Sequence, residues 1–123
     1  MKHVPLVATA LIAGALSLGG ANAETFPDRL IKVIVPFVPG SPVDAAARVI
    51  TQHLQTRLGQ NVIVENRPGG GTTIGTKAVV TASPDGYTLL YIGSSITYQP
   101  MLYPSIDYDP LKGLTPVAST VTW

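Results

Sequence analysis

Three short segments of this chain carry the groups best suited to binding a small anion. They are residues 36–42, 66–73 and 93–95, each rich in Gly, Pro, Ser or Thr and each placed where a helix is predicted to begin. The first turn of a helix has backbone N–H groups without partners and a positive partial charge. Hydroxyl groups that could add hydrogen bonds belong to Ser41, Thr72, Thr73, Ser94 and Ser95. The pattern predicts an anion site that needs no arginine, although each hydroxyl taken singly could equally serve as a helix cap.

The sequence contains near matches to two phosphate-binding motifs but fulfils neither. Residues 70–75 have the glycine spacing of a P-loop, but Thr76 and Lys77 stand in the reverse of the required order. The glycines at positions 69, 71 and 75 miss the dinucleotide-binding spacing by one residue. The sequence therefore argues against a nucleotide and predicts no cofactor.

Catalytic groups are scarce. His53 is the only histidine after position 23 and lies on the flank of a predicted helix, which favours a solvent-exposed role. Asp107 and Asp109 form a carboxylate pair, but Pro110 follows them and a turn explains both. There is no G-x-S-x-G motif and no cysteine, which excludes a nucleophile elbow, thiol catalysis and Cys-based zinc. We therefore expect neither an enzyme nor a metal site, while Phe37 could either wall a ligand or pack under its loop.

The first predicted elements are a strand over residues 31–35 and a helix over residues 42–58. The strand is a β-branched apolar run that ends at Pro36. Ser41 is the candidate N-cap of the helix, Pro42 suits its first position, and Gly59 is the expected C-cap. Apolar residues recur at helical spacing over residues 43–58, whereas Arg48 is expected to face away from the core.

The same alternation then repeats. We predict a strand over residues 62–64, a helix over 74–81 capped by Thr72 or Thr73, and a strand over 87–92. A turn over 83–86 precedes the third strand, a short helix over 96–102 follows it, and residues 117–121 form a candidate fourth strand. Such alternation predicts an α/β fold, a parallel sheet with βαβαβ crossovers. Ligands of open α/β sheets bind outside the carboxyl ends of the strands, where the three segments should meet.

The N-terminal segment is typical of a secretory leader. Lys2 is followed by an uncharged, mostly apolar run over residues 4–18 and by small residues at 21 and 23. We predict a cleaved signal peptide over residues 1–23; the run is too short for a membrane helix. Without Lys2 the remaining chain has 7 basic and 7 acidic residues, so nucleic acid is not an expected partner.

Several longer strings resemble one family along the whole chain after residue 23. The most specific are Glu-Asn-Arg-Pro-Gly at 65–69 and Pro-Asp-Gly-Tyr-Thr-Leu-Leu at 84–90, joined by Val-Pro-Phe-Val-Pro-Gly at 35–40. Shorter matches lie at 26–29, 58–60, 73–75 and 102–104. The chain resembles the Bug-type extracytoplasmic solute-binding proteins of tripartite tricarboxylate transporters.

The resemblance implies the first part of lobe 1 of a two-lobed periplasmic binding protein, a non-enzymatic receptor that captures a small organic carboxylate for membrane permease subunits. It implies that backbone groups of the first and Gly-rich loops hold the ligand. The family often has Gly where this chain has Ser41 and Thr72, so these two side chains add hydroxyls and bulk beside the site. The ligand residues carried over are Gly40, Ser41, Pro42, Val43, Asp44, Gly71, Thr72, Thr73, Ile74, Gly93, Ser94 and Ser95, with Phe37 as a wall.

The resemblance also sets an expectation about length. Family members continue into a second lobe, so residues 24–123 are expected to form the N-terminal part of one lobe, with the second lobe absent and ligand binding weak or absent. A stand-alone α/β module acting through protein contacts is the alternative.

Overall fold

Strands and helices alternate along residues 25–120, the part of the chain that the computed structural model describes. The elements are β1 (Ile31–Val35), α1 (Pro42–Leu58), β2 (Val62–Asn66), α2 (Thr73–Val80), β3 (Thr88–Leu90) and α3 (Ser95–Leu102). A short 3₁₀ turn, Gly70–Thr72, leads into α2. Within the described range no helix is long and apolar enough to cross a membrane. The predicted leader at residues 1–23 lies outside this range.

The three strands form one parallel sheet in the order β2-β1-β3. In register, Val35 of β1 pairs with Asn66 of β2, and Ile34 pairs with Leu90 of β3. The chain steps from β1 to one side and then crosses to the other. Because βαβ connections are right-handed, these opposite steps place α1 and α2 on opposite faces of the sheet. The predicted α/β fold with a parallel sheet is confirmed.

The central strand supplies most of the core. Val33 and Val35 are at most 5% exposed and pack with Ala47 of α1 on one face of the sheet. Ile34 is 1% exposed and points to the opposite face, because side chains alternate along a strand. A strand that is buried on both faces reads as a continuous apolar run, which is why β1 was visible in the sequence.

The predicted ends of α1 are confirmed. The Ser41 hydroxyl accepts a hydrogen bond from the Asp44 N–H at 3.2 Å, and Pro42 is the first helical residue. Gly59 has a φ of 65° and donates its N–H to the Gln55 carbonyl at 3.0 Å, which closes the last turn. The buried residues of this helix, however, include the polar Asp44 and Thr51, which the apolar spacing did not indicate.

Three predictions about elements are wrong. Thr72 precedes α2 and Ser94 precedes α3, but neither side chain makes a capping hydrogen bond. Thr72 lies in the left-handed region and Ser94 already has helical dihedral angles, whereas a capping side chain needs extended backbone. Residues 117–120 contain no strand, and residue 121 lies outside the described range. That segment reaches the sheet through a side-chain contact, 2.9 Å between the hydroxyls of Tyr91 and Thr120, rather than through backbone pairing.

Candidate functional site

The three predicted segments lie at one edge of the sheet. The Arg67 N–H donates to the Val35 carbonyl at 2.9 Å, and the Tyr91 N–H donates to the Ile34 carbonyl at 2.9 Å. The strands therefore end at the same level, and in the order β2-β1-β3 the chain moves from β1 first to one side and then to the other. Such a point of divergence is where open α/β sheets bind ligands.

A buried carboxylate anchors the first segment. Asp44 is 2% exposed, and its Oδ2 accepts the Gly40 N–H at 2.9 Å. Gly40 has a φ of 83°, which favours glycine, and it turns the chain from β1 into α1. Pro42 has no N–H, so the first turn of α1 presents the Val43 N–H together with the Ser41 hydroxyl.

Asp44 also joins the first segment to β2 through Asn66 and Arg48. The Asn66 Nδ2 donates to Asp44 Oδ1 at 2.9 Å and to the Phe37 carbonyl at 3.1 Å. The Arg48 Nε donates to Asp44 Oδ2 at 3.0 Å, and its Nη2 donates to Asn66 Oδ1 at 3.1 Å. We call Asp44, Arg48 and Asn66 the loop lock, because they connect the segment after β1 to the end of β2.

The charges of the loop lock fix the ionisation of Asp44. The hydrogen bond from Arg48 lowers the pKa of the Asp44 carboxyl most, followed by those from Gly40 and Asn66, and together they bring it from 3.8 to about 2. Asp44 is therefore an anion whose oxygens are engaged within the chain. Its role at this site is to hold the loop, while Arg48 turns back from the solvent-facing side of α1 to neutralise it.

The second segment is a left-handed turn. Gly69, Gly70, Gly71 and Thr72 have φ values of 116°, 56°, 59° and 78°. The turn is closed by the Thr72 N–H, which donates to the Gly69 carbonyl at 3.0 Å, and by the Thr73 N–H, which donates to the Gly70 carbonyl. Residues without a Cβ tolerate this conformation, whereas Thr72 adopts it at a steric cost.

Close packing fixes this turn against its surroundings. A Cβ added to Gly75 would lie 2.7 Å from Pro36 Cβ and 2.8 Å from the Arg67 carbonyl oxygen, so α2 starts directly against the ends of β1 and β2. A Cβ added to Gly71 would lie 1.8 Å from the Tyr103 hydroxyl. Tyr103 therefore covers the turn, while the side chain of Ile74 is exposed at the surface.

Hydroxyl groups of the second segment are engaged within the chain. The Thr73 Oγ1 donates to the Gly70 carbonyl at 2.8 Å. The Thr72 side chain is buried, and its Oγ1 accepts a hydrogen bond from Gln99 at 2.7 Å. The Thr73 hydroxyl proton is therefore engaged within the chain, and the Thr72 hydroxyl is buried against Gln99.

The third segment is more open. Gly93 has no heavy atom near the position of an added Cβ, and the Ser94 Oγ lies 3.0 Å from the Tyr98 hydroxyl. The Ser95 Oγ is buried and has no hydrogen-bond partner within residues 25–120. Because a buried hydroxyl without a partner is unfavourable, Ser95 is the group of this edge that most needs one.

Phe37 and Val43 are half-buried and pack against the core cluster, so they form the floor beneath the first segment.

Two surface concavities lie elsewhere: one of about 600 Å³ near the C-terminal end of α1, lined by Gln52, Gln60 and neighbours, and one of about 410 Å³ lined by Tyr108 and Pro110 among others. No predicted ligand residue lines either one. These two concavities therefore lie apart from the candidate site.

Arg48, Asn66 and Gln99 are polar residues that support this edge through contacts within the chain, and sequence reasoning missed these roles. Asp44 and Arg48 are four residues apart, a spacing at which opposite charges meet on a helix, so their ion pair could have been predicted from the sequence. Asn66 directly follows the apolar part of β2, and only its position at a strand end pointed to the site. Nothing in the pattern of α3 marked Gln99 as buried.

Comparison with known families identifies the family of this chain. A model of the tripartite tricarboxylate transporter family receptor, TctC, matches residues 46–123, which is more than half of the chain. The chain belongs to this family. The match includes β2, the left-handed turn, α2, β3 and α3.

Curated TctC relatives cover nearly all of this chain. Protein BugT of Bordetella pertussis is 46% identical over 114 residues, which are 91% of this chain and 33% of the relative. A UPF0065 protein of Bordetella bronchiseptica is 46% identical over 108 residues, 87% of this chain and 32% of the relative. The chain thus spans about a third of the length of the curated relatives it matches.

Solved TctC-type structures share the fold. MatC of Rhodopseudomonas palustris, solved with bound malate, is 40% identical with a TM-score of 0.69 over 75% of this chain and 32% of its own. A second protein of that organism, solved with adipate, is 34% identical with a TM-score of 0.52 over 53% of this chain and 22% of its own. The α/β unit described here corresponds to part of periplasmic binding proteins.

Proposed function

We propose that this chain is the ligand-capturing receptor of a tripartite tricarboxylate-type transporter and that it binds a small organic carboxylate. Membership of the TctC family supports the receptor role, and the malate and adipate in the two relatives support the ligand class. The receptor acts by binding and release and carries out no reaction. Its partners are the membrane permease subunits that take the ligand from it.

The carboxylate lies at the edge formed by residues 40–44, 71–74 and 93–95. The observation that carries this placement is the convergence of two helix starts and the buried Ser95 hydroxyl, which has no partner among residues 25–120, at the carboxyl ends of three parallel strands. Helix N-termini attract anions through their N–H groups and partial positive charge. The loop lock supports this assignment because it holds Gly40 and Phe37 in place before a ligand arrives.

We further propose that residues 1–23 direct the receptor to the periplasm and are removed. Cleavage after residue 23 follows from the small residues at 21 and 23. The intact mass of periplasmic material should match a chain that begins at residue 24. A membrane-bound product that retains residue 1 would contradict this proposal.

A nuclear magnetic resonance titration tests the binding site. Malate added to the full chain should shift the backbone amides of residues 40–44 except the proline at 42, and those of residues 71–75 and 93–95. Binding should be weak because this chain supplies one side of a ligand cleft. Malamide, the uncharged diamide of the same shape, is the matched control and should leave these amides unmoved. Shifts confined to residues 52–61, or equal shifts with malamide, would refute the carboxylate site.

A further inference from the structure

We propose that Gln99 is a positioning residue that holds the left-handed turn over residues 69–72 in the shape presented to the ligand. What the turn binds rests on the proposed function, but how it is held follows from the contacts of Gln99 alone. Gln99 is on α3, outside all three predicted segments, and is 1% exposed.

Thr72 is the residue of this turn that needs support. It has a φ of 78° and is the only non-glycine residue with positive φ in the described part of the chain. A β-branched side chain is unfavourable in this region because its Cβ crowds the neighbouring carbonyl oxygen. Such strain persists only where surrounding contacts hold it, and it is concentrated at functional loops.

Gln99 supplies the contact that holds Thr72. Its Nε2 donates to Thr72 Oγ1 at 2.7 Å and to Thr76 Oγ1 at 3.0 Å. Thr76 is fully buried, and its own hydroxyl donates back to the Thr72 carbonyl at 3.0 Å. Both side-chain and backbone oxygens of Thr72 are therefore fixed from inside the fold.

The remaining member of the network keeps Gln99 in this orientation. The Tyr108 hydroxyl lies 3.2 Å from Gln99 Oε1 and 3.0 Å from the Thr73 carbonyl. The Tyr108 hydroxyl proton is shared between these two oxygens, and its approach to Oε1 favours the orientation in which the NH₂ end of the amide faces Thr72 and Thr76. The direction of the turn is thus set by three side chains, Gln99, Thr76 and Tyr108, none of which reaches the ligand edge.

Two substitutions of Thr72 separate support of the turn from general packing. Thr72→Val keeps the β-branch but removes the oxygen that Gln99 holds, whereas Thr72→Gly removes both the oxygen and the strain. In the full chain without ligand, we expect amide hydrogen exchange at positions 72 and 73 to be about tenfold faster in Thr72→Val, the equivalent of one lost hydrogen bond. The exchange rates of Thr72→Gly at these positions should remain close to those of the unsubstituted chain.

The same comparison is repeated from the side of Gln99. Gln99→Met preserves volume and should accelerate exchange at position 73 about tenfold, and adding Thr72→Gly should reverse most of that change. Gln52→Met, at an exposed site on α1, is the matched control and should have no effect. Equal acceleration by Thr72→Val and Thr72→Gly would overturn the assignment, as would Gln99→Met acting equally with and without Thr72→Gly.

The ligand readout is separate from these exchange rates. Malate affinity should fall about tenfold in Thr72→Val and recover in Thr72→Gly. If the unsubstituted chain fails to bind malate, the proposed function fails, while the exchange rates still decide whether Gln99 holds the turn. Unchanged malate affinity beside accelerated exchange would overturn the positioning role.

Discussion

Substitution of Gly75 by alanine tests how tightly α2 starts against the sheet. The added Cβ would lie 2.7 Å from Pro36 Cβ, 2.8 Å from the Arg67 carbonyl oxygen and 3.0 Å from Pro36 Cα. These neighbours are backbone and ring atoms, which cannot rotate away as the end of a flexible side chain can. Relief therefore requires that α2 move away from the ends of β1 and β2.

Two opposing effects set the size of the change. Overpacking of this kind costs about 1–3 kcal/mol, and the rigid neighbours favour the upper part of that range. Alanine is about 1 kcal/mol better than glycine inside a helix, which offsets part of the cost. We expect the free energy of unfolding to fall by about 1–2 kcal/mol. Each kcal/mol lowers the melting temperature by about 4–8 °C in a domain of this size.

Urea and thermal unfolding followed by circular dichroism measure this change. Gly93→Ala is the matched control, because a Cβ there meets no atom within 4 Å, and it should leave stability unchanged. A Gly75→Ala chain that is more stable by about 1 kcal/mol would show that helix propensity decides the outcome. The close approach of α2 to Pro36 would then be wrong, and with it the geometry of the second segment.

Three further substitutions test other contacts. Asp44→Asn should remove part of the acid dependence of stability. Because its pKa is lowered, the Asp44 carboxylate stabilises the fold above pH 3.8, and this contribution is lost as pH falls through about 2. The melting temperatures of Asp44→Asn at low and neutral pH should therefore differ less than those of the unsubstituted chain. Gly59→Ala should destabilise the chain by about 1–2 kcal/mol in urea unfolding, because its φ of 65° is unfavourable for alanine, and an unchanged midpoint would contradict that geometry. Tyr108→Phe should cost about 0.5–1.5 kcal/mol in the same assay through the lost hydrogen bond to the Thr73 carbonyl, and no loss would mean that water replaces it.

Local signals predicted α1 and the sheet well. Ser41, Pro42 and Gly59 each act within one turn of their own position, so the ends of α1 could be predicted from neighbours in the sequence. The apolar run of β1 predicted a strand of a parallel sheet because burial on both faces leaves a continuous pattern, whereas β2 lies at the sheet edge and Ile63 is 43% exposed. The same reasoning placed all three segments at one edge of the sheet.

Contacts between distant residues could not be predicted in this way. Asn66 and Asp44 are 22 residues apart, and Gln99 and Thr72 are 27 apart, so no periodic pattern links them. The left-handed conformation of Thr72 also has no sequence signal, since propensity argues against it. The hydroxyls of Ser41, Thr72 and Thr73 were predicted as ligand donors or caps from residue type and loop position, and the particular hydrogen bond that each makes within the chain was not predictable in the same way.

The ion pair of the loop lock has a consequence for how fast a ligand could arrive. Asp44 and Arg48 lie 3.0 Å apart and cancel each other, so the loop lock adds short-range dipoles to the edge but little long-range field. Attraction over distances beyond about 10 Å needs net charge and is screened by salt, whereas helix N–H groups act at contact. Capture of a carboxylate at this edge should therefore proceed at a rate that changes little between dilute and concentrated salt. A receptor built in this way suits surroundings whose ionic strength is not constant.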